Sequence, residues 1–202
     1  MSKRLTQAEI NEIKEKYKPG MKIKLLKDMK FDEQPIKAGE IGIVDHVDDV
    51  GTIHMNWKSG SSLGIIPEID EFEIVEKIKV IMLEVDKDPY VKEIYNTLED
   101  KQELVGGDIE CVPTFFSNDV MYDFVLNEEG KMNGLTYNRF IYDKRDAIAG
   151  DFMIIKANDE GEFVSLTDNE IDFLMNEVKE KCPKATMYEL LMIAREEEEI
   201  ER

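Results

Sequence analysis

Hydrophobic and polar residues alternate over Met21, Ile23 and Leu25, with Lys22 and Lys24 between them, which is the period of a half-buried strand. Four further short segments follow: Ile41–Val44, Thr52–Trp57, Leu63–Ile66 and Phe72–Val75. Asp48-Asp49-Val50-Gly51, Lys58-Ser59-Gly60 and Pro67 separate them. Five short strands with tight turns predict a small closed β-barrel over residues 21–76, because closure removes edges that such strands otherwise expose. Ahead of them, Thr6 stands three residues before Glu9, and Leu5 is placed to staple against Ile10. A helix from about Gln7 to Tyr17 is therefore expected within residues 1–20, ended by Lys18-Pro19-Gly20.

From Lys77 the pattern changes. Ile78, Val80, Met82 and Val85 predict a strand, and Asp88-Pro89 then predicts the start of a helix carrying Val91, Ile94, Tyr95 and Leu98 on one face. Gly106-Gly107 stops that helix. Strands are expected over 109–113 and 120–126, followed by a turn at Asn127-Glu128-Glu129-Gly130. Phe152–Ile155 and Phe163–Leu166 read as a hairpin. Thr167 with Glu170 and Thr186 with Glu189 have the capping-box spacing, so two helices are expected over 167–202. Met187, Leu190, Leu191 and Ala194 form an apolar stripe on the second, and Glu196–Glu199 form its solvated end. The irregular mixture predicts an α+β chain: a barrel over 21–76, a mixed domain over 77–166 and a C-terminal helical segment over 167–202.

Charge narrows the partners. Twenty-six basic residues against 45 acidic ones give a net charge of -19, a field that repels phosphate backbones and anionic lipid. Neither direct nucleic-acid binding nor membrane binding is expected. Residues 1–76 hold 11 basic and 15 acidic side chains, so most of the excess belongs to the remainder. No apolar run approaches the roughly 20 residues of a bilayer span, and the opening MSKRLTQAEI has no signal-peptide core, so a cytoplasmic location is expected. Cys111 and Cys182 lie far apart without ligand spacing and read as reduced thiols.

Two stretches carry a resemblance. Ala38-Gly39-Glu40-Ile41-Gly42-Ile43-Val44, Asp48 to Trp57 and Ser62-Leu63-Gly64 resemble a small domain of phage and mobile-element proteins with an SH3-like barrel appearance. Val105 to Glu110, Asn127 to Lys131, Gly134-Leu135, Asn138-Arg139 and Ile148 to Asp151 resemble a second domain from the same kinds of genomes. Neither family brings a chemistry with it. The resemblance implies a phage, plasmid or integrative-element setting, in which acidic proteins of this size often blunt host defences.

The candidate chemistry is sparse. His46 and His54 lie near Asp45, Asp48 and Asp49, an arrangement open to metal binding or to ordinary turn chemistry; no metal is assigned. Cys111 has no histidine nearby in sequence to act as its base, and no phosphate-loop, dinucleotide, zinc or kinase motif occurs, so no cofactor is assigned. Asn138-Arg139 is the most distinctive dipeptide: Arg139 is either a structural ion-pair partner or an anion clamp with Lys131, Lys144 and Arg145. Tyr137, Phe140 and Tyr142 supply aromatic surface for stacking, or belong to an ordinary strand. The leading expectation is a non-catalytic accessory protein that inhibits a host defence protein by stoichiometric binding. The alternatives are a sponge for a phosphorylated nucleotide signal and a hydrolase. Self-association as a homo-oligomer stays open.

Overall fold

The computed structural model describes residues 5–29, 35–117, 119–142, 145–186 and 188–191. The chain divides into two units, Met1–Glu76 and Lys77–Arg202.

In the first unit the Thr6 hydroxyl accepts from the Glu9 amide while the Glu9 carboxylate takes the Thr6 amide, the reciprocal cap that the spacing predicts. Helix α1 (Gln7–Lys16) follows, and Pro19 with Gly20 turns the chain into strand β1 (Lys22–Leu25). Strands β2 (Ile41–Val47), β3 (Ile53–Trp57) and β4 (Phe72–Ile74) complete an antiparallel sheet in the order β3-β2-β1-β4. Alternation sends Ile23, Leu25, Val44, Ile53, Met55 and Trp57 into one core. Gly42 permits that packing, since a Cβ there would stand 2.6 Å from the Trp57 ring.

The strand expected over Leu63–Ile66 shrinks to a bridge in which Ile53 and Ile65 exchange amide bonds of 2.9 and 2.8 Å. Beyond it the Asp70 carboxylate accepts from the Ile66 amide, and the Ile69 and Asp70 amides return to the Ile66 carbonyl. This tight turn after Ile65 ends the strand. Among the described residues no pairing joins the two ends of the sheet, so the closed barrel expected from strand count is not seen as a closed ladder.

The second unit opens with β5 (Lys77–Leu83), which pairs with β6 (Tyr90–Tyr95) from Lys77–Tyr95 to Met82–Tyr90. The helix expected from Asp88 to Gly106 is therefore corrected to a strand and a shorter helix. Tyr90, Val91, Ile94 and Tyr95 are aromatic and β-branched, and a turn with Asp86 at φ 63° folds them back on β5, where pairing outweighs a helical face. Thr97 then caps α2 (Leu98–Val105), and Gly106 ends it in the left-handed conformation, at the glycine where the sequence places the stop.

Strands β7 (Ile109–Ser117) and β8 (Val120–Asn127) form the next hairpin. A separate two-stranded sheet of β9 (Tyr137–Ile141) and β10 (Asp146–Ala149) follows. Its four successive buried residues, Asn138 to Ile141, leave no alternation to read. Strand β11 (Phe152–Ala157) sits centrally, β12 (Phe163–Val164) pairs its end, and α3 (Asp168–Lys181) starts at the Thr167–Glu170 capping box. The main sheet runs β6-β5-β11-β8-β7, all antiparallel. One face packs Phe124, Phe152 and Ile154 against Ile141, Ile148, Ile171 and Leu174, so α3 belongs to the same core as the strands. The opposite face packs Val80, Val125 and Ile155 with Val105 of α2. The chain is thus α+β, with antiparallel sheets and few helices.

The second cap is present too: the Glu189 amide donates to the Thr186 hydroxyl and the Leu190 amide to the Thr186 carbonyl. Met187, Ala194 and Glu196–Glu199 of the expected terminal helix lie outside the described residues, as does Lys144. No described helix is long and apolar enough to cross a membrane.

Candidate functional site

Arg139 lies inside the second unit, 3% exposed. Its Nη1 donates to the Asn138 carbonyl at 3.2 Å and to Asn138 Oδ1 at 3.0 Å, and its Nη2 donates to the Lys87 carbonyl at 2.8 Å. Asn138 donates in turn to the carbonyls of Leu83 and Gly150, both at 2.9 Å. The pair ties β9 to the end of β5 and to the turn before β6. Burial pulls Arg139 below the ordinary guanidinium range, while the charges of Asp88 and Asp86 oppose that shift. Among the described residues, Lys131, Tyr137 and Arg145 do not converge on it. Lys131 pairs with Asp146 at 2.5 Å, Tyr137 is half-buried in β9, and Arg145 is exposed with its Nε on the Tyr142 carbonyl at 3.0 Å.

In the first unit the His46 and His54 rings stack with centroids 4.4 Å apart. His46 Nδ1 lies 2.8 Å from Asp45 and His54 Nε2 lies 3.1 Å from Asp48. Asp48 also accepts from the Val50 and Thr52 amides, which is turn chemistry. Partial desolvation works against its charge, yet these amides and His54 hold its carboxyl below the usual range. Among the described residues no three His, Cys, Asp or Glu side chains come together as metal ligands.

One concave surface of the second unit was missed from sequence. Strand β7 is an edge of the main sheet, and the β9–β10 hairpin covers only part of the face beside it. A groove of about 320 Å³ is left, floored by Val112, Leu126, Ile141 and Ile148. Met132, 85% exposed, and Tyr142, 48% exposed, stand at its margin. Tyr142 is held there at φ 52°, a conformation uncommon for a residue with a side chain. Among the described lining residues, Glu110, Glu128 and Asp146 contribute three carboxylates to the rim, against the single ammonium of Lys131. A second cleft of about 210 Å³ shares Ile141 and Tyr142 and reaches Phe115 and Cys182. The available signal was Met132 set within a polar turn and Tyr142 beside a charge run; neither has meaning until the hairpin is folded over the sheet.

Chemically the groove offers apolar contact and negative charge. Burial pushes the Cys182 thiol up to about 11, so it is protonated at neutral pH despite nearby Arg139. Cys111 is exposed as a residue, but its thiol is partly desolvated and also raised, with Asp123 adding to the shift. Both thiols are thus held away from the reactive thiolate form.

A family model described as a domain of unknown function, DUF3846, matches residues 78–180, more than half of the chain. The chain belongs to the DUF3846 family. The matched DUF3846 segment spans the main sheet from Ile78 onward, the β9–β10 hairpin and nearly all of α3, and so contains the groove. A second model, the domain of unknown function DUF4314, matches residues 6–75, which places the two domains in tandem. No curated protein and no solved structure matches the chain.

Proposed function

We propose that this is a non-catalytic binding protein whose second unit docks a partner protein in the groove. In the phage or mobile-element setting that the sequence resemblance implies, the partner is a host defence component, inhibited stoichiometrically. One observation carries the reading: Met132 and Tyr142 are exposed beside an apolar floor that is rimmed by carboxylates, in a chain of net charge -19. Exposed apolar surface with a polar rim is the anatomy of a protein interface, and complementary charge speeds encounter with a basic partner.

The first unit is read as an SH3-like module. Its meander order and the Ile53–Ile65 bridge beside β3 support that reading. Nucleotide capture has less support, because the Nη donors of Arg139 are engaged by carbonyl-type oxygens inside the unit. A hydrolase has least, given the two raised thiols and histidines found only in the first unit.

The test is a phage challenge of bacteria that carry individual defence systems, with and without this chain. The chain should restore plaque counts at least tenfold against one system, and the double substitution Met132→Glu, Tyr142→Glu should remove the effect. Failure against every system, or equal protection by the doubly substituted chain, overturns the reading. A nucleotide released from the purified protein on denaturation would favour capture instead.

A further inference from the structure

We infer that β7 is an acceptor edge: the partner adds an extended segment as a new strand beside Ile109–Pro113 and sends alternate side chains into the groove. The inference rests on the docking reading above and adds the backbone geometry and the chemistry of the occupant.

The direction of the free backbone groups follows from the register. Asp108 accepts from the Glu128 amide at 2.9 Å, so its carbonyl faces β8. Period-two alternation then turns Glu110 and Val112, opposite Leu126 and Phe124, toward β8, and Ile109, Cys111 and Pro113 outward. Pro113 provides an internal check: it has no N–H, and at an outward position it leaves no ladder bond unmade. The outward edge therefore presents the N–H groups of Ile109 and Cys111 and the carbonyls of Ile109, Cys111 and Pro113. No hydrogen bond among the described residues occupies them, and Cys111 and Pro113 are exposed. Val112, on the face that carries the groove, lies beside this edge, so an added strand would place every second side chain over Ile141 and Tyr142.

The opposite edge of the sheet is different. Strand β6 carries Lys92 and Glu93 and has Lys77 over the Tyr95 ring at 4.9 Å. Charged residues of this kind discourage strand addition. On β7 the bulge between Pro113 and Phe115 limits pairing to about five residues, enough for a peptide segment and too short for a long sheet.

Charge selects the occupant. Among the described lining residues, Glu110, Glu128 and Asp146 stand against Lys131 alone, which Asp146 already pairs. A second copy would bring two rims of the same sign together, and the chain's own Glu196–Glu199 run would add further negative charge. The fitting occupant is an extended segment of a partner protein, apolar or β-branched at alternate positions and carrying Lys or Arg between or beside them.

Selection of displayed random peptides on the immobilised full-length chain tests this. Enriched peptides should alternate apolar and basic residues. Their affinity should fall at least tenfold on N-methylation of alternate peptide amides and, separately, on Glu110→Lys with Glu128→Lys, both exposed positions. Hydrogen exchange at the Ile109 and Cys111 amides should slow on binding. No enrichment, acidic consensus peptides, or indifference to either change overturns the inference; the methylation arm alters only the peptide and does not depend on how a variant folds. If methylation has no effect while Met132→Glu with Tyr142→Glu abolishes binding, strand addition fails and groove docking stands. If that double substitution also has no effect, both fail. A dimer in light scattering that competes with the peptide, or binding seen only after removal of residues 192–202, assigns the edge to a second copy or to the chain's own end and overturns it equally.

Discussion

The two units treat polar side chains in opposite ways. The buried polar side chains among the described residues are Thr97, Lys101, Asn127, Asn138 and Arg139, and all lie in the second unit. The first unit keeps its charges at the surface in pairs such as Lys27–Glu71 at 2.6 Å and Lys37–Asp28 at 2.8 Å. The difference lies in which side chains serve the connections. In the first unit the loop amides of Val50, Thr52 and Ile66 are met by the carboxylates of Asp48 and Asp70, neither of which is buried. In the second, carbonyls at positions 87, 97, 105 and 106 take their donors from buried side chains, although Lys87 and Gly106 are themselves exposed residues. Arg139 serves Lys87, Lys101 serves Thr97 at 3.0 Å, and Asn127 serves Val105 and Gly106 at the end of α2. In a chain of 45 acids, the acceptors of these two buried cations are carbonyl-type oxygens, together with the Phe163 ring 5.0 Å from Lys101 Nζ.

Arg139→Ala is the strongest way to break the contrast. It removes the Arg139 donors of the Lys87 carbonyl and of Asn138 Oδ1, each worth roughly 1 to 3 kcal/mol, while the Asn138 main-chain carbonyl keeps the Ala185 amide at 3.0 Å and the cost of a buried cation is relieved. A net loss of about 3 kcal/mol is expected, seen as a melting-temperature fall of roughly 10 °C for the second unit. An unchanged melt would mean that the guanidinium is not a structural cross-link.

Lys101→Met should have a smaller effect, about 1 kcal/mol near neutral pH, because lost hydrogen bonds and relieved desolvation oppose one another. The sharper readout is pH. Burial lowers Lys101 from the ordinary 10.5, so between its folded value and 10.5 the unfolded chain binds more protons and stability from this group rises with pH. Denaturant melts across that window should show the rise in the wild type relative to Lys101→Met. An identical pH profile for both proteins counts against a desolvated ammonium.

The smallest change is expected at the surface of the first unit, where Lys27→Ala breaks an exposed pair. The cost should be about 0.3 kcal/mol and should vanish in high salt. A loss as large as that of Arg139→Ala would erase the distinction between the units.

The candidate site was less legible than the fold. Asn138 and Arg139 stood out as a dipeptide, but an anion clamp and a buried cross-link use the same donors, and composition does not report which way a guanidinium faces. The groove left no motif because Val112, Leu126, Met132, Tyr142 and Ile148 come from separate elements whose meeting depends on the β9–β10 hairpin lying across the sheet. Of that hairpin only β9 was offered, as the strand alternative for Tyr137, Phe140 and Tyr142, since Asn138 to Ile141 are buried in succession and their burial does not alternate.

What the sequence by itself determined was local. The caps at Thr6 and Thr167, the stop at Gly106 and the alternation through β1 and β3 each depend on residues within a few positions, so short-range hydrogen bonding and sterics suffice to specify them. Tertiary structure decided whether residues 90–95 became strand or helix, through pairing with β5. It also decided the role of Arg139, whose Lys87 acceptor lies 52 residues away, and the open edge of β7, which exists only because no later strand returns to cover it among the described residues. Those outcomes turn on which faces and backbone groups are left without a partner once the whole unit has packed, and that is a property of the assembled layers rather than of any segment.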